Sequence, residues 1–103
     1  MRIAVIGDYK SPGYIDLLMK VTIFIEDVFV LDLSKHNTGS WTDMRDARWA
    51  DIESAHQVIV CNDWLDQNID VKVDIQKARC LGKELLVFYD GYLIPLQLYA
   101  YKG

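Results

Sequence analysis

The chain has 103 residues, 51% of them hydrophobic and 25% charged, which is the composition of an ordinary globular protein of one domain with its own hydrophobic core. Its 11 basic and 15 acidic residues give a net charge of −4, which disfavours a nucleic-acid surface because such a surface needs clustered cations. No apolar run approaches the roughly 20 residues that span a bilayer, and residues 1–8 reach an acid too soon for a secretory signal, so we expect a cytoplasmic protein with no membrane association.

The first third of the chain predicts a βαβ unit. An apolar strand over residues 2–6 is followed by a loop of turn-forming residues, a helix from Gly13 or Tyr14 to about Asp27, and a second strand over 29–33. The apolar face of the helix is predicted to comprise Ile15, Leu18, Met19, Thr22 and Ile25, widened by Leu17, Val21 and Phe24. A helix that connects two parallel strands crosses over with a right hand.

The middle of the chain predicts a capped helix and a buried strand. Residues 34–40 read as a loop, and Ser40 to Asp43 supply N-cap candidates for a helix that runs to about Ala55. One side of this helix is predicted to carry Met44, Ala47 or Arg48, Asp51 or Ile52, and Ala55. Trp49 lies off that side, which indicates a partly exposed packing or interface residue. Residues 57–61 are a β-branched run of the kind that is covered on both faces of a sheet.

The last third predicts a helix, a strand and an apolar tail. The helix is expected to turn Val71, Ile75, Ala78 and Leu81 toward the core and to end at Gly82, before a strand over 84–89 and a turn at Asp90 and Gly91. The tail, 92–101, predicts either an edge strand interrupted at Pro95 or a segment that packs on a second subunit. The elements together predict a single α/β domain over 1–103: a three-layer sandwich with a mainly parallel sheet of four or five strands, in a flavodoxin-like or Rossmann-like order with the first strand central.

Polar residues cluster where the first and third strands end, and ligands of open α/β sheets bind beyond the carboxyl ends of the strands. The candidate binding residues are Gly7, Asp8 and Tyr9 after the first strand, Asp63 and Trp64 after the third, and Asp74 near the start of the next helix. Each of these residues could instead have a purely structural role. The first loop could be a plain βα turn, Trp64 could fill the core under its loop, and Asp74 could be an acid that stabilises the helix.

The two cysteines and two histidines show no metal-ligand spacing, so we expect neither a metal nor a cofactor. Cys61 and Cys80 are predicted to be reduced and buried. His56 begins the third strand, where a hydrogen-bonded structural histidine is more common than an acid catalyst. A catalytic pair of Cys61 and His56 is excluded because residues five apart on a strand point to opposite faces.

The segment from Asp51 to Gly82 resembles the nucleoside 2-deoxyribosyltransferase-like superfamily. Trp64, Ala78 and Gly82 follow the order of the family signature Trp-x-x-Ser-x-Gly…Glu-x-x-x-Ala-x-x-x-Gly, and Asp74 stands where the family has its catalytic Glu. The upstream run of Asp51, Ile52, Ala55, His56 and Val58 is similar to the family's Asp…Ile-x-x-Ala-Asp-x-Val. The chain departs from the signature at Gln67 and Ile69, which replace Ser and Gly, and by one residue inserted before Asp74.

The resemblance implies an enzyme that transfers or hydrolyses the N-glycosidic bond of a nucleoside or nucleotide. Asp74 would be the nucleophile or the electrostatic stabiliser, and Asp51 would fix the nucleobase or a catalytic partner. The alternative is a non-catalytic nucleotide-binding protein on the same fold, which the missing Ser and Gly favour because the family uses them to hold the 5′ end of the sugar. A flavodoxin-like signalling domain ranks last.

A homodimer is also expected. The apolar residues of the tail, 92–103, and possibly Trp49 would lie in the contact, since a small domain should not leave so many apolar side chains in water. The resemblance implies in addition that a neighbour's C-terminal segment completes the pocket, with Asp90 and Tyr92 as the candidates.

Overall fold

The computed structural model of the protein describes residues 1–7, 12–25, 27–36, 39–61 and 69–100. These residues form a five-stranded sheet in the order β2-β1-β3-β4-β5, with helices on both faces. The elements in chain order are β1 (Arg2–Ile6), α1 (Pro12–Phe24), β2 (Phe29–Asp32), a short 3-10 helix (Leu33–Lys35), α2 (Trp41–Ser54), β3 (Gln57–Cys61), α3 (Ile69–Cys80), β4 (Glu84–Tyr89), β5 (Tyr92–Pro95) and α4 (Leu96–Ala100). The predicted α/β class and flavodoxin-like order are confirmed.

The first four strands are parallel, and β5 is antiparallel to β4. In β1, alternate residues point to opposite faces: Ile3 and Val5 join the core that includes the α1 side chains, while Ala4 and Ile6 join the core under α2 and α3. Both core clusters also contain residues of β3 and β4. This explains why the central strands carry apolar residues at consecutive positions after their first residue, as was predicted for β3.

Two helix ends follow the predicted chemistry closely. At the start of α2, the Ser40 hydroxyl accepts the backbone N–H of Asp43 at 3.2 Å and the Asp43 carboxylate accepts the N–H of Ser40 at 3.5 Å, which is a capping box. At the end of α3, Gly82 has a φ of 68°, and the N–H of Lys83 bonds to the carbonyl of Ala78. This is the Schellman arrangement, for which glycine is the preferred residue.

The buried face of α1 differs from the prediction. Tyr14, Leu17 and Val21 point into the core, whereas Ile15 and Met19 are 47% and 56% exposed. The helix is apolar around most of its circumference, so periodicity alone did not fix its rotation. The observed rotation brings the Tyr14 hydroxyl to polar partners inside the protein, which the predicted rotation would not do. The helix also ends at Phe24, before the predicted limit near Asp27.

Two smaller expectations for α3 were also wrong. Leu81 is exposed because it follows the last helical residue, and Cys80 is an exposed free thiol on the outer face of the helix. Cys61 is a buried thiol, as predicted. The side chain of Val71 lies outside the described residues.

The tail takes the edge-strand form that was one of its two predicted alternatives. Asp90 and Gly91, with φ values of 50° and 80°, turn the chain from β4 into β5, and the strand ends at Pro95. Residues 96–100 then form α4, whose Leu96 packs into the core under α2 and α3. Among the described helices, none is both long enough and apolar enough to cross a membrane.

Candidate functional site

Gly7 lies at the carboxyl edge of the sheet, directly after β1 and beside the end of β3. The register sets this position, because Ile6 pairs with Val60 and Gly7 therefore follows next to Cys61. From β1 the chain crosses to β2 on one side, while β3 lies on the other, so the order of the strands reverses at this point. A crevice at such a reversal is where open α/β sheets hold ligands.

The ring of Tyr14 packs directly on Gly7. A Cβ at position 7 would lie 1.9 Å from Cδ1 of Tyr14, which no side chain can accommodate without movement of the ring. The ring is fixed at its other end, where the hydroxyl contacts the carbonyl oxygen of Val5 at 3.0 Å and donates to the carboxylate of Asp32. Gly7 is thus required by a close approach of two parts of the chain.

Asp32, at the end of β2, is the polar centre of this part of the edge. Its Oδ1 accepts hydrogen bonds from the hydroxyl of Tyr14, from the backbone N–H of Ser34 at 3.0 Å and from the hydroxyl of Ser34 at 2.7 Å. Sequence reasoning did not select Tyr14 or Asp32. One signal in the sequence could have identified Asp32: it is an acid in an otherwise apolar strand, and a buried acid needs hydrogen-bond partners inside the protein.

Burial raises the pKa of Tyr14 far above its usual value, and the hydrogen bond to Asp32 and the charge of Asp32 raise it further. The phenol therefore keeps its proton across the physiological range and remains a donor. This makes Tyr14 a fixed structural group at the edge of the sheet rather than an acid or base.

Asp74 is the sixth residue of α3 and is 1% exposed. Nε of Arg48 donates to its Oδ2 at 3.0 Å, and the indole Nε1 of Trp49 donates to its Oδ1 at 3.2 Å. Both partners lie on α2, so the acid joins the two helices on that face of the sheet. Sequence reasoning placed Arg48 and Trp49 on α2 but did not connect either residue to Asp74.

Arg48 is itself buried, and its Nη2 has no hydrogen-bond partner among the described residues. Side chains on a helix lean toward its N-terminus, and the N-termini of α2 and α3 both lie at the carboxyl edge, since these helices run back against the parallel strands. Arg48 and Asp74 therefore belong to the two helices whose N-terminal ends lie at that edge. A buried donor without a partner costs about 1–3 kcal/mol, so a ligand oxygen at Nη2 would remove a real penalty.

Asp51, the second acid selected from the sequence, has a different partner. Its Oδ2 lies 2.6 Å from Nε2 of His36, which follows the 3-10 helix after β2. Both side chains are partly buried. The contact joins the last turn of α2 to the segment after β2, so the acid is not a freely solvated helix-end charge.

The remaining sequence-selected residues divide into two groups. Asp8, Tyr9, Asp63 and Trp64 lie outside the described residues. His56 lies at the amino edge of the sheet, where its Nδ1 accepts the backbone N–H of Arg2 at 3.0 Å. This is the hydrogen-bonded structural role predicted for it.

Comparison of the chain with protein-family models, with curated proteins and with solved structures found no match. Within the described ranges, no group of three or more His, Cys, Asp and Glu side chains is arranged to hold a metal ion. The features that bear on function are therefore the geometry of the carboxyl edge and the residues that resemble the deoxyribosyltransferase-like signature.

Proposed function

We propose that the protein binds a nucleoside or nucleotide at the carboxyl edge of its sheet and does not cleave it. The sheet order and the position of Gly7 support a ligand site there. The resemblance of residues 51–82 to the deoxyribosyltransferase-like signature supports the class of ligand. Binding without cleavage is supported by the burial and the hydrogen bonds of Asp74.

A carboxylate nucleophile must bring an unshared oxygen to about 3–3.5 Å from the reacting carbon. Asp74 is 1% exposed, and each of its two oxygens accepts a hydrogen bond from α2. Its charge is also opposed by the guanidinium of Arg48 at 3.0 Å. A carboxylate held in this way supports the position of a neighbouring side chain better than it attacks a sugar.

Arg48 is the described residue that we propose to contact the ligand. Its Nε is held by Asp74, while its Nη2 is buried without a described partner. An arginine fixed at one nitrogen presents its other donors in a set direction, which suits a phosphate or carboxylate oxygen. In this proposal Asp74 positions Arg48, and Arg48 binds the oxygen of a 5′-phosphate or of the sugar.

The second candidate is the N-glycosidic enzyme that the resemblance implies, acting by transfer or hydrolysis. The free Nη2 of Arg48 favours it in one respect, because a ligand phosphate that draws the guanidinium away would release Oδ2 of Asp74. Asp74 would then act as nucleophile or electrostatic stabiliser beside an oxocarbenium-like centre. Asp51 would be its partner.

Calorimetric titration with a panel of nucleosides and 5′-nucleotides tests both candidates, with chromatographic detection of free base in the same samples. We expect saturable binding, a raised unfolding temperature and no released base. Arg48→Met should lose the binding, while Arg45→Met, a half-buried arginine of the same helix that lies over Trp41 and Trp49, should retain it. If the wild type releases free base and Asp74→Asn does not, the protein is the enzyme. If no nucleoside or nucleotide of the panel binds, both candidates are excluded.

The homodimer predicted from the sequence is also part of this proposal. Tyr92 on β5 is 72% exposed, and Leu93 and Leu98 are also exposed, so the hairpin and α4 offer apolar side chains for a contact. Light scattering at micromolar concentration should give twice the mass of the chain. A monomeric mass would remove the dimer and, with it, a pocket shared between subunits.

A further inference from the structure

A groove runs between α2 and α3 on their solvent side. It has a volume of about 520 Å³ and is lined by Trp49, Lys72, Val73, Gln76, Lys77 and Cys80. We call this the outer groove. Lys72, Gln76 and Cys80 are exposed at four-residue spacing along α3, whereas Val73 and Lys77 lie nearer α2 and are half-buried.

The charge of the outer groove is opposite to that of the whole chain. Its described lining contains two lysines and no acid, although the protein carries a net charge of −4. A third cation lies next to it, because the guanidinium of Arg45 is 4.9 Å from the centre of the Trp49 ring and 5.2 Å from that of Trp41, although it also pairs with the exposed Asp46 at 3.1 Å. An anionic occupant would therefore meet attraction here that most of the surface does not offer.

The floor of the groove is apolar and rigid. Trp49 is fixed from within, because its Nε1 donates to the buried carboxylate of Asp74 at 3.2 Å, and Lys77 lies 5.0 Å from the centre of its ring. An aromatic side chain that is already immobilised loses little conformational entropy when a partner binds, which is a property of the residues that dominate binding energies. Val73 continues the apolar floor toward α3.

We propose that the outer groove binds an acidic, amphipathic segment of a partner protein. A large apolar side chain of that segment packs on Trp49 and Val73, and its carboxylates pair with the two lysines. Such segments bind to grooves between helices through a few apolar anchors. Lys77 already contacts Glu53 at 3.3 Å, but that acid is exposed, and exposed ion pairs are weak enough to be exchanged for a partner's carboxylate.

A single-stranded nucleic acid fits the outer groove less well. It requires a longer track of cations and open ring faces on which bases stack. Here the described lining supplies two lysines and a single aromatic ring, which also packs against the core. Trp49 connects the groove to the proposed ligand site through its hydrogen bond to Asp74, so the variants that test the groove change only lysines, which were not assigned to that site.

The test begins with selection of a displayed library of random peptides of about 15 residues on the purified protein. We expect the enriched peptides to share several acids around one large apolar residue. A synthetic peptide of that sequence should bind about tenfold more weakly to Lys72→Glu/Lys77→Glu, as measured by fluorescence anisotropy. The milder pair Lys72→Gln/Lys77→Gln gives a second measurement should the reversal disturb folding.

The matched control is Lys20→Glu/Lys35→Glu, which changes the charge equally on α1 and the 3-10 helix and should leave the affinity unchanged. Cys80 supplies a direct readout of position, because bound peptide should slow its reaction with a disulfide reagent by about fivefold or more, with the buried Cys61 unreactive throughout.

Three results would overturn the proposal: enriched peptides without an acidic excess, equal binding to the charge-reversed protein, or an unprotected Cys80. The groove would be assigned to nucleic acid instead if no peptide binds, an oligothymidylate does bind, and the charge-reversed variant no longer binds the oligothymidylate.

Discussion

Nε of Arg48 donates to the carboxylate of Asp74 over 3.0 Å, and the two side chains are 10% and 2% exposed. The pair joins the middle of α2 to the second turn of α3 above the shared core. Taking two charges out of water is costly, and their attraction offsets that cost only while both are present. Either residue alone would leave an uncompensated buried charge.

The first prediction concerns this pair. Asp74→Ala should lower the free energy of unfolding by about 3–5 kcal/mol, because it leaves the buried guanidinium of Arg48 without its opposite charge. The double variant Arg48→Met/Asp74→Leu should recover most of the loss. Urea unfolding followed by circular dichroism measures both. The buried pair predicts a measurable loss of stability for Asp74→Asn as well.

Asp16→Ala is the control for that experiment, since it breaks an exposed pair with Lys20 on α1 and should cost less than about 1 kcal/mol. Equal losses in Asp74→Ala and Asp16→Ala would show that burial contributes nothing to the pair.

The second prediction follows from the contact of Gly7 with Tyr14. Gly7→Ala should destabilise the protein by about 1–3 kcal/mol, since the new methyl group would overlap a ring that cannot move while its hydroxyl is bound. In a Tyr14→Leu background the same substitution should cost less. A double-mutant cycle by urea unfolding measures the difference, and additive effects would contradict the contact.

The third prediction is a pH dependence. The folded pKa of Tyr14 is raised, so the stability it contributes is fully present below the unfolded pKa of about 10 and is lost as the pH rises above it. The wild type should lose up to about 1.4 kcal/mol per pH unit above pH 10 relative to Tyr14→Phe. Parallel pH profiles of the two proteins would show that the phenol does not hold its proton in the fold.

The fourth prediction concerns the start of α2. Ser40→Ala removes the hydroxyl that accepts the N–H of Asp43 and should cost about 1 kcal/mol. Ser40→Asp should retain stability, because its carboxylate can accept the same N–H and favours the positive end of the helix. Thermal unfolding of the three proteins provides the comparison, and an Ala variant as stable as the wild type would contradict the cap.

Features that depend on neighbouring residues in the chain could be predicted from the sequence. The cap at Ser40, the stop at Gly82 and the buried strand ending at Cys61 each have a local pattern, and all three occur where predicted. The alternation of strands and helices was sufficient for the sheet order, because crossover connections leave few arrangements.

Features that depend on distant residues could not be predicted. Asp74 was selected by its place in a motif, but its partners Arg48 and Trp49 lie 26 and 25 residues earlier, on another helix. The rotation of α1 is a similar case, since the helix is apolar on several sides and the choice is made by Asp32 beneath the hydroxyl of Tyr14. Side-chain polarity shows that a partner is needed, but not which residue supplies it.

The hairpin of β4 and β5 has a consequence for the order of folding events. Its strands are joined by Asp90 and Gly91 alone, so it can form from local contacts in about 1–10 μs. The junction of β1 with β3 brings Arg2 to His56, 54 residues away, and the entropy of closing that loop must be overcome before its contacts form. We therefore expect the hairpin to form before the slower junction of β1 with β3, so that substitutions in its turn change the rate of folding more than the rate of unfolding.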